Sequence, residues 1–248
     1  MTHLNLEAID VDGAIRETAA EAMDALQGDT RSQFLRRAGL AGGAVVGGGA
    51  ILGALAPSAF AKVSNGDRPP AKVFGTGDIA ILRFALTLEY LERNFYNEAS
   101  DHQRKTGFMR GNSHAQLRTF LKTVTDDERK HVTELKAALG SKALKEPKFN
   151  YHGDPKNIST FLKSAFTFEN EGVAAYSGQA FNISDPAILK VALSIVTIEA
   201  RHASVVGLLS HGTEFGISPN KANDKPKGGT QVIKDVTSLN YITKLYPA

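Results

Sequence analysis

Residues 188–209 read ILKVALSIVTIEARHASVVGLL. The run is apolar at almost every position, yet it carries Glu199 and His202 three residues apart. Residues three apart face the same way on a helix, so this pair presents a carboxylate and an imidazole side by side. The same spacing recurs at Glu128 and His131 within DDERKHVTELKAALG, residues 126–140, beside Val124 and Leu135. Two further carboxylates interrupt apolar faces. Glu89 falls among Leu82, Ala85, Leu86 and Tyr96, and Glu169 among Leu162, Ala165, Phe166 and Tyr176.

These intrusions sit on four segments of helical periodicity. The first is predicted over 78–100, with Asp78 as N-cap, and the second over 113–139, stopped by Gly140. The third covers 158–181. The fourth opens at Ser184-Asp185-Pro186, a cap followed by proline in the first turn, and ends near Ser210. The chain also repeats itself: ILRFALTLEYLERNFY (81–96) aligns with FLKSAFTFENEGVAAY (161–176), so that Glu89 matches Glu169 and Tyr96 matches Tyr176. The connections within each pair of helices suit antiparallel hairpins. Residues 140–157 can reach roughly 59 Å when extended, against about 38 Å for a 25-residue helix. The predicted architecture is therefore all-α: a four-helix bundle with a long crossover between its second and third helices. Residues 213–248 read as an irregular tail packed on it.

Four carboxylates facing one another in an apolar interior are unstable without compensation, because an unpaired buried charge costs several kcal/mol. Two divalent cations balance them, and oxygen and nitrogen ligands without sulfur suit iron or manganese. A single Glu-x-x-His is a common accident on a solvated helix. The ordered series Glu, Glu-x-x-His, Glu, Glu-x-x-His on four successive amphipathic helices is not. Glu92 also lies near the inner face and is a candidate extra ligand. Glu171, two residues from Glu169, is expected to point to solvent. Tyr96 and Tyr176, two turns after Glu89 and Glu169, read either as ordinary core tyrosines or as hydrogen-bond partners of the ligands that could relay electrons. His102, His114, His152 and His211 fall in loops or at helix ends and receive no role.

The 248 residues are 42% hydrophobic and 22% charged and include no cysteine. That composition excludes a wholly disordered chain, disulfide staples, iron–sulfur clusters and thiol nucleophiles together. Charge is divided unevenly, with a net −3 over residues 1–61 and +6 over the remainder. Arg31, Arg36 and Arg37 precede the uncharged stretch 38–56, and Ala59-Phe60-Ala61 follows it as a small-x-small cleavage signature. Residues 1–61 are thus expected to be an N-terminal extension with a twin-arginine-like export signal cut after Ala61. The alternative is a membrane anchor formed by 38–56. Residues 62–77 read as a linker and 78–212 as the bundle. Lys and Arg are scattered, and there is no dedicated nucleic-acid motif.

The stretches LRFALTLEYLERNFY, DDERKHVTELKAALG and FENEGVAAY resemble the ferritin-like superfamily in its ferritin and rubrerythrin pattern. They are especially similar to exported bacterial ferritin-like proteins related to plant desiccation proteins. The resemblance covers residues 76–212. It implies that Glu89, Glu128, His131, Glu169, Glu199 and His202 bind two Fe ions, or alternatively Mn, per chain, with Glu89 and Glu169 either bridging or terminal. It implies metal-centred redox chemistry with oxygen or peroxide as partner: oxidation of Fe(II), or peroxide removal. The alternatives are a stress- or desiccation-protective bundle without turnover and a passive metal binder. A homo-oligomer is compatible with the resemblance. Without cysteine there is no rubredoxin-like electron-transfer module.

Overall fold

The structure is a computed structural model that describes residues 67–211 and 224–248. The expected leader, the first part of the expected linker and the stretch 212–223 lie outside the described residues. Six helices account for most of the described chain: α1 (Ala71–Phe74), α2 (Gly77–Thr106), α3 (Ala115–Leu139), α4 (Ile158–Gln179), α5 (Pro186–His211) and α6 (Gly229–Ser238). The architecture is the expected all-α bundle, built from α2 to α5.

Local chemistry sets the helix ends. α2 stops where Gly107 takes a left-handed conformation, φ 63°, and returns its N–H to Gln103. Asn157 caps α4 by accepting from the amides of Ser159 and Thr160. Asp185 accepts from Ala187 at 2.8 Å at the start of α5, with Pro186 in the first turn as expected. Asp78 departs from its expected role. α2 begins one residue earlier, and the Asp78 carboxylate instead accepts from the backbone amides of Ser184 and Asp185, tying the start of α2 to the start of α5. The N-cap reading failed because the orphan donors nearest this carboxylate belong to a helix more than a hundred residues away.

α2 packs on α3 and α4 on α5 as two hairpins. Cross-bonds give the sense of the central pair. Tyr96 bonds Glu169 and Tyr176 bonds Glu89, so α2 and α4 run antiparallel and α3 runs parallel to α4. That arrangement needs the crossover, and residues 140–157 climb along α2 to provide it. The Lys142 carbonyl accepts from Arg83, Glu146 from Asn94, the Leu91 carbonyl from Tyr151, and Lys156 pairs with Glu98.

The C-terminal segment packs on the bundle, and it is more regular than an irregular tail. It contains α6 and a short strand β2 (Ile242–Lys244), which pairs antiparallel with β1 (Lys148–Phe149) of the crossover. Its approach requires Gly178. A Cβ at that position would stand 1.8 Å from the Lys227 carbonyl oxygen, which lies over α4. Asp67, within the expected linker, is joined to the same region, accepting through its carbonyl from Gly229 and Gln179.

Buried side chains form two clusters. One is aromatic, around Phe95, Tyr96, Phe120, Phe161 and Phe168; the other is largely aliphatic, around Leu82, Leu86, Leu135 and Ile195. On α2 the acidic positions Glu89 and Glu92 fall between Leu86 of one cluster and Phe95 of the other. The polar residues of interest therefore occupy a layer between two dry cores. One helix among the described residues, Pro186–His211, is long and apolar enough to cross a membrane. It is also the helix that buries Glu199 and His202 in that layer.

Candidate metal centre

The six residues singled out from the sequence converge. Glu128, Glu169 and Glu199 are fully buried, Glu89 is 1% exposed, and His131 and His202 are 6% exposed. α2 and α4 supply one glutamate each, and α3 and α5 each supply a Glu-x-x-His pair within one turn, where helical spacing turns them toward the bundle axis.

The geometry divides them into two overlapping groups, each with donor atoms within 4.8 Å of one another. One holds Glu89, Glu128, His131 and Glu199; the other holds Glu128, Glu169, Glu199 and His202. Glu128 and Glu199 belong to both. Glu128 also splits its oxygens between the halves: Oε2 lies 3.3 Å from His131 Nδ1 and Oε1 lies 3.2 Å from His202 Nδ1. Glu89 and Glu169 each belong to one half and are held alike. Glu89 Oε2 lies 3.2 Å from His131 Nδ1 and its Oε1 accepts from Tyr176 at 2.5 Å. Glu169 Oε2 lies 3.2 Å from His202 Nδ1 and its Oε1 accepts from Tyr96. The carboxylates common to both groups are those of the two Glu-x-x-His motifs. Tyr96 and Tyr176 are hydrogen-bonded to the cluster, each reaching across to the helix of the other hairpin.

Several donor atoms in this layer lack a hydrogen-bond partner. Among the described residues, Glu128 Oε1, Glu169 Oε2, both carboxylate oxygens of Glu199 and both ring nitrogens of His202 are buried and make no hydrogen bond, although all but Glu199 Oε2 stand 3.2–3.5 Å from an oppositely charged neighbour. Buried polar atoms are nearly always paired, so this concentration of orphans in one layer marks a place for a bound group. All six atoms belong to residues of the two overlapping groups. The donor set is oxygen and imidazole nitrogen, which suits a divalent transition metal.

With protons alone to balance the charge, the layer titrates abnormally. Burial pushes the Glu89 carboxyl up, but the adjacent His131 outweighs it and holds Glu89 below its ordinary value. Burial and the charge of Glu89 push Glu128 up to about 7. Glu199 is raised well above the carboxylate range by burial and then by Glu128. Burial lowers the affinity of His202 for its proton, yet Glu169 and Glu128 more than offset that and carry it up to about 11; His131 is raised further still, chiefly by Glu89. Burial and the carboxylates beside them keep the Tyr96 and Tyr176 phenols protonated as donors.

Three neighbours complete the picture. Glu92, 3% exposed, is a seventh carboxyl at the layer, raised well above its usual range by burial and by Glu199. Gly172 faces it across the layer and makes room for Glu199: a Cβ there would stand 2.8 Å from Glu199 Oε2 but at an ordinary 3.6 Å from Glu92 Oε1. Asp127 was not recognised from sequence. Its Oδ2 lies 3.5 Å from His202 Nε2, on the side of the ring away from the cluster; its adjacency to Glu128 was the available signal. Glu171 departs from expectation. It is buried, not solvated, because Lys227 of the C-terminal segment covers it and joins it to Asp235.

A four-helix bundle enclosing a buried carboxylate–histidine layer able to hold metal ions defines a class of metal-binding helical proteins. A model of the ferritin-like domain matches residues 77–211, more than half of the chain, and the chain belongs to the ferritin-like family. A search of curated proteins returned no match.

Proposed function

We propose that the protein binds two iron ions, or alternatively manganese, and uses them in redox chemistry, either oxidation of Fe(II) or removal of peroxide. The observation that carries this reading is the pair of overlapping Glu/His groups that share Glu128 and Glu199 and leave their inward atoms unsatisfied. In this reading Glu128 and Glu199 would serve both ions, Glu89 and His131 would complete one position and Glu169 and His202 the other, with Glu92 available as an additional carboxylate.

Two bound ions would supply electrons to oxygen or peroxide and stabilise the charge that develops there. The chain's own residues supply the rest. Four carboxylates balance two divalent cations. Tyr96 and Tyr176 each hold one oxygen of a terminal carboxylate, leaving the other free for coordination. Asp127, 3.5 Å from the far nitrogen of His202, is placed where carboxylates commonly orient metal-bound imidazoles. The two cores exclude bulk water. A surface groove of about 570 Å3 between α3 and α5, walled by Phe120, Val124, Ile198 and Val205, has Asp127 and His202 in its lining and gives a small oxidant an approach.

The test is oxidation of Fe(II) by oxygen and by peroxide in protein of measured metal content. Turnover with about two ions per chain supports the reading. Two ions without turnover indicates a passive binder, and no metal indicates a protective bundle. Residues 1–61 we propose as an export signal. The N-terminal sequence of protein recovered outside the cytoplasm should begin at Lys62; recovery with the leader attached to membrane would favour an anchor.

A further inference from the structure

The chain has six tyrosines and neither tryptophan nor cysteine, so tyrosine is its main readily oxidised aromatic side chain. Three of them form a continuous column with Phe95. The rings of Tyr96 and Phe95 are 5.4 Å apart, Phe95 and Tyr151 5.4 Å, and Tyr151 and Tyr241 5.4 Å. The column joins parts of the chain distant in sequence: α2, the crossover and the C-terminal segment. Its inner end, Tyr96, donates to Glu169 in the metal layer. Its outer end, Tyr241, lines a surface cavity of about 250 Å3 and donates to the Asp154 carboxylate. Tyr151, midway, lines a second surface cleft and donates to the Leu91 carbonyl at 2.6 Å.

Aromatic rings pack edge to face in any core, so contact alone is not the argument. The internal comparison is. Tyr176 mirrors Tyr96 at the site, with the same bond to a terminal carboxylate, yet it belongs to the cluster of Leu82, Leu86, Leu135 and Ile195. Of two equivalent tyrosines, one is continued across Phe95 to two further phenols, the outer one lining a surface cavity, and the other sits in largely aliphatic packing that also holds Tyr90. Both ends of the continued column also place a carboxylate on the phenol, where a proton can be held while the ring lacks an electron.

We propose that Tyr96, Phe95, Tyr151 and Tyr241 are an electron route between the metal layer and the surface, a proposal that rests on the redox reading above. Tyr96 gives one electron to the oxidised centre. It is refilled from Tyr151 across Phe95, Tyr151 from Tyr241, and Tyr241 from a one-electron reductant in solution. The Tyr96 and Tyr241 protons move to the Glu169 and Asp154 carboxylates and return when each ring is refilled, so one electron passes inward and nothing else is consumed. Tyr151 donates to a neutral carbonyl that cannot take its proton; it keeps the proton, passes the electron as a short-lived radical cation, and is the slowest step.

Because the chain lacks cysteine, Asn150→Cys provides a single attachment point for a ruthenium photo-oxidant; the amide of residue 150 bonds the Tyr241 carbonyl at 2.8 Å. Flash oxidation of the full-length, metal-free labelled protein should give a tyrosyl radical at Tyr96, assigned by its loss in Tyr96→Phe. Tyr151→Phe keeps the ring and its packing, checked by circular dichroism, and should abolish arrival at Tyr96, whereas Tyr176→Phe should leave it unchanged. Formation of the Tyr96 radical at an unchanged rate in Tyr151→Phe, or no Tyr96 radical in the labelled parent, overturns the route. Metal content is measured separately on unlabelled protein, so failure of the redox reading is seen apart from failure of the route.

Discussion

The two hairpins, α2–α3 and α4–α5, carry the same ligand pattern and differ around it. Each supplies a Glu, a Glu-x-x-His and a tyrosine that reaches across to the other hairpin's Glu. The departures are local. Where α2 has Glu92, α4 has Gly172, which leaves room for the Glu199 carboxylate. Where α3 places Asp127 before its motif, α5 places Ile198, and among the described residues it is His202 that has such a carboxylate behind its ring. In the proposed reading matching residues would hold the ions, and unmatched residues would make the two positions inequivalent. An asymmetric pair is useful when one position must hold metal while the other exchanges it or meets the oxidant.

That comparison can be broken residue by residue. The largest effect is expected from the imidazoles. His131→Ala and His202→Ala should each lose one ion, shown by elemental analysis as a fall from about two per chain to about one; loss of both from either variant would make the positions interdependent and end the half-by-half description. Next is Asp127→Asn. Removing a carboxylate behind a metal-bound histidine typically costs roughly 10–100-fold in affinity, and titration calorimetry should show it on one of two binding steps only. Gly172→Ala should cost about 1–3 kcal/mol of thermal stability, as overpacking does, because the new methyl displaces Glu199; no change would mean that the layer is looser than its contacts indicate.

The smallest effect is a pH dependence of the metal-free protein. Glu128 rises from 4.5 to about 7 on folding, so across that interval the folded chain keeps a proton that the unfolded chain has released. Stability of the metal-free protein should therefore fall as pH rises through the interval. The raised histidines extend the same trend above pH 6.5. Metal binding needs these protons removed, so metal affinity should rise with pH over the same range. Chemical denaturation at several pH values, with and without metal, checks both signs.

The bundle and the six residues of the layer were legible in the sequence because both depend on helical periodicity. Glu199 and His202 stand out in an apolar run, and Glu89 and Glu169 align in the internal repeat. What was not legible depends on distance. The sharing of Glu128 and Glu199 follows from how α3 and α5 approach each other. Glu171 read as solvated because its partner, Lys227, comes from a segment 56 residues later. Asp78 read as a local cap, although the amides it satisfies open α5. The outer rings of the aromatic column belong to the crossover and the C-terminal segment, which have no helical period linking them to Tyr96.

The central claim is that one layer, built on Glu128 and Glu199, holds both ions. The most direct measurement is the metal content of the wild-type chain and of the Glu128→Ala/Glu199→Ala variant, reconstituted with Fe(II) without oxygen and freed of loose metal. The account predicts about two ions per chain in the first and essentially none in the second. A double variant that retained two ions, or a wild-type chain that bound none, would contradict it.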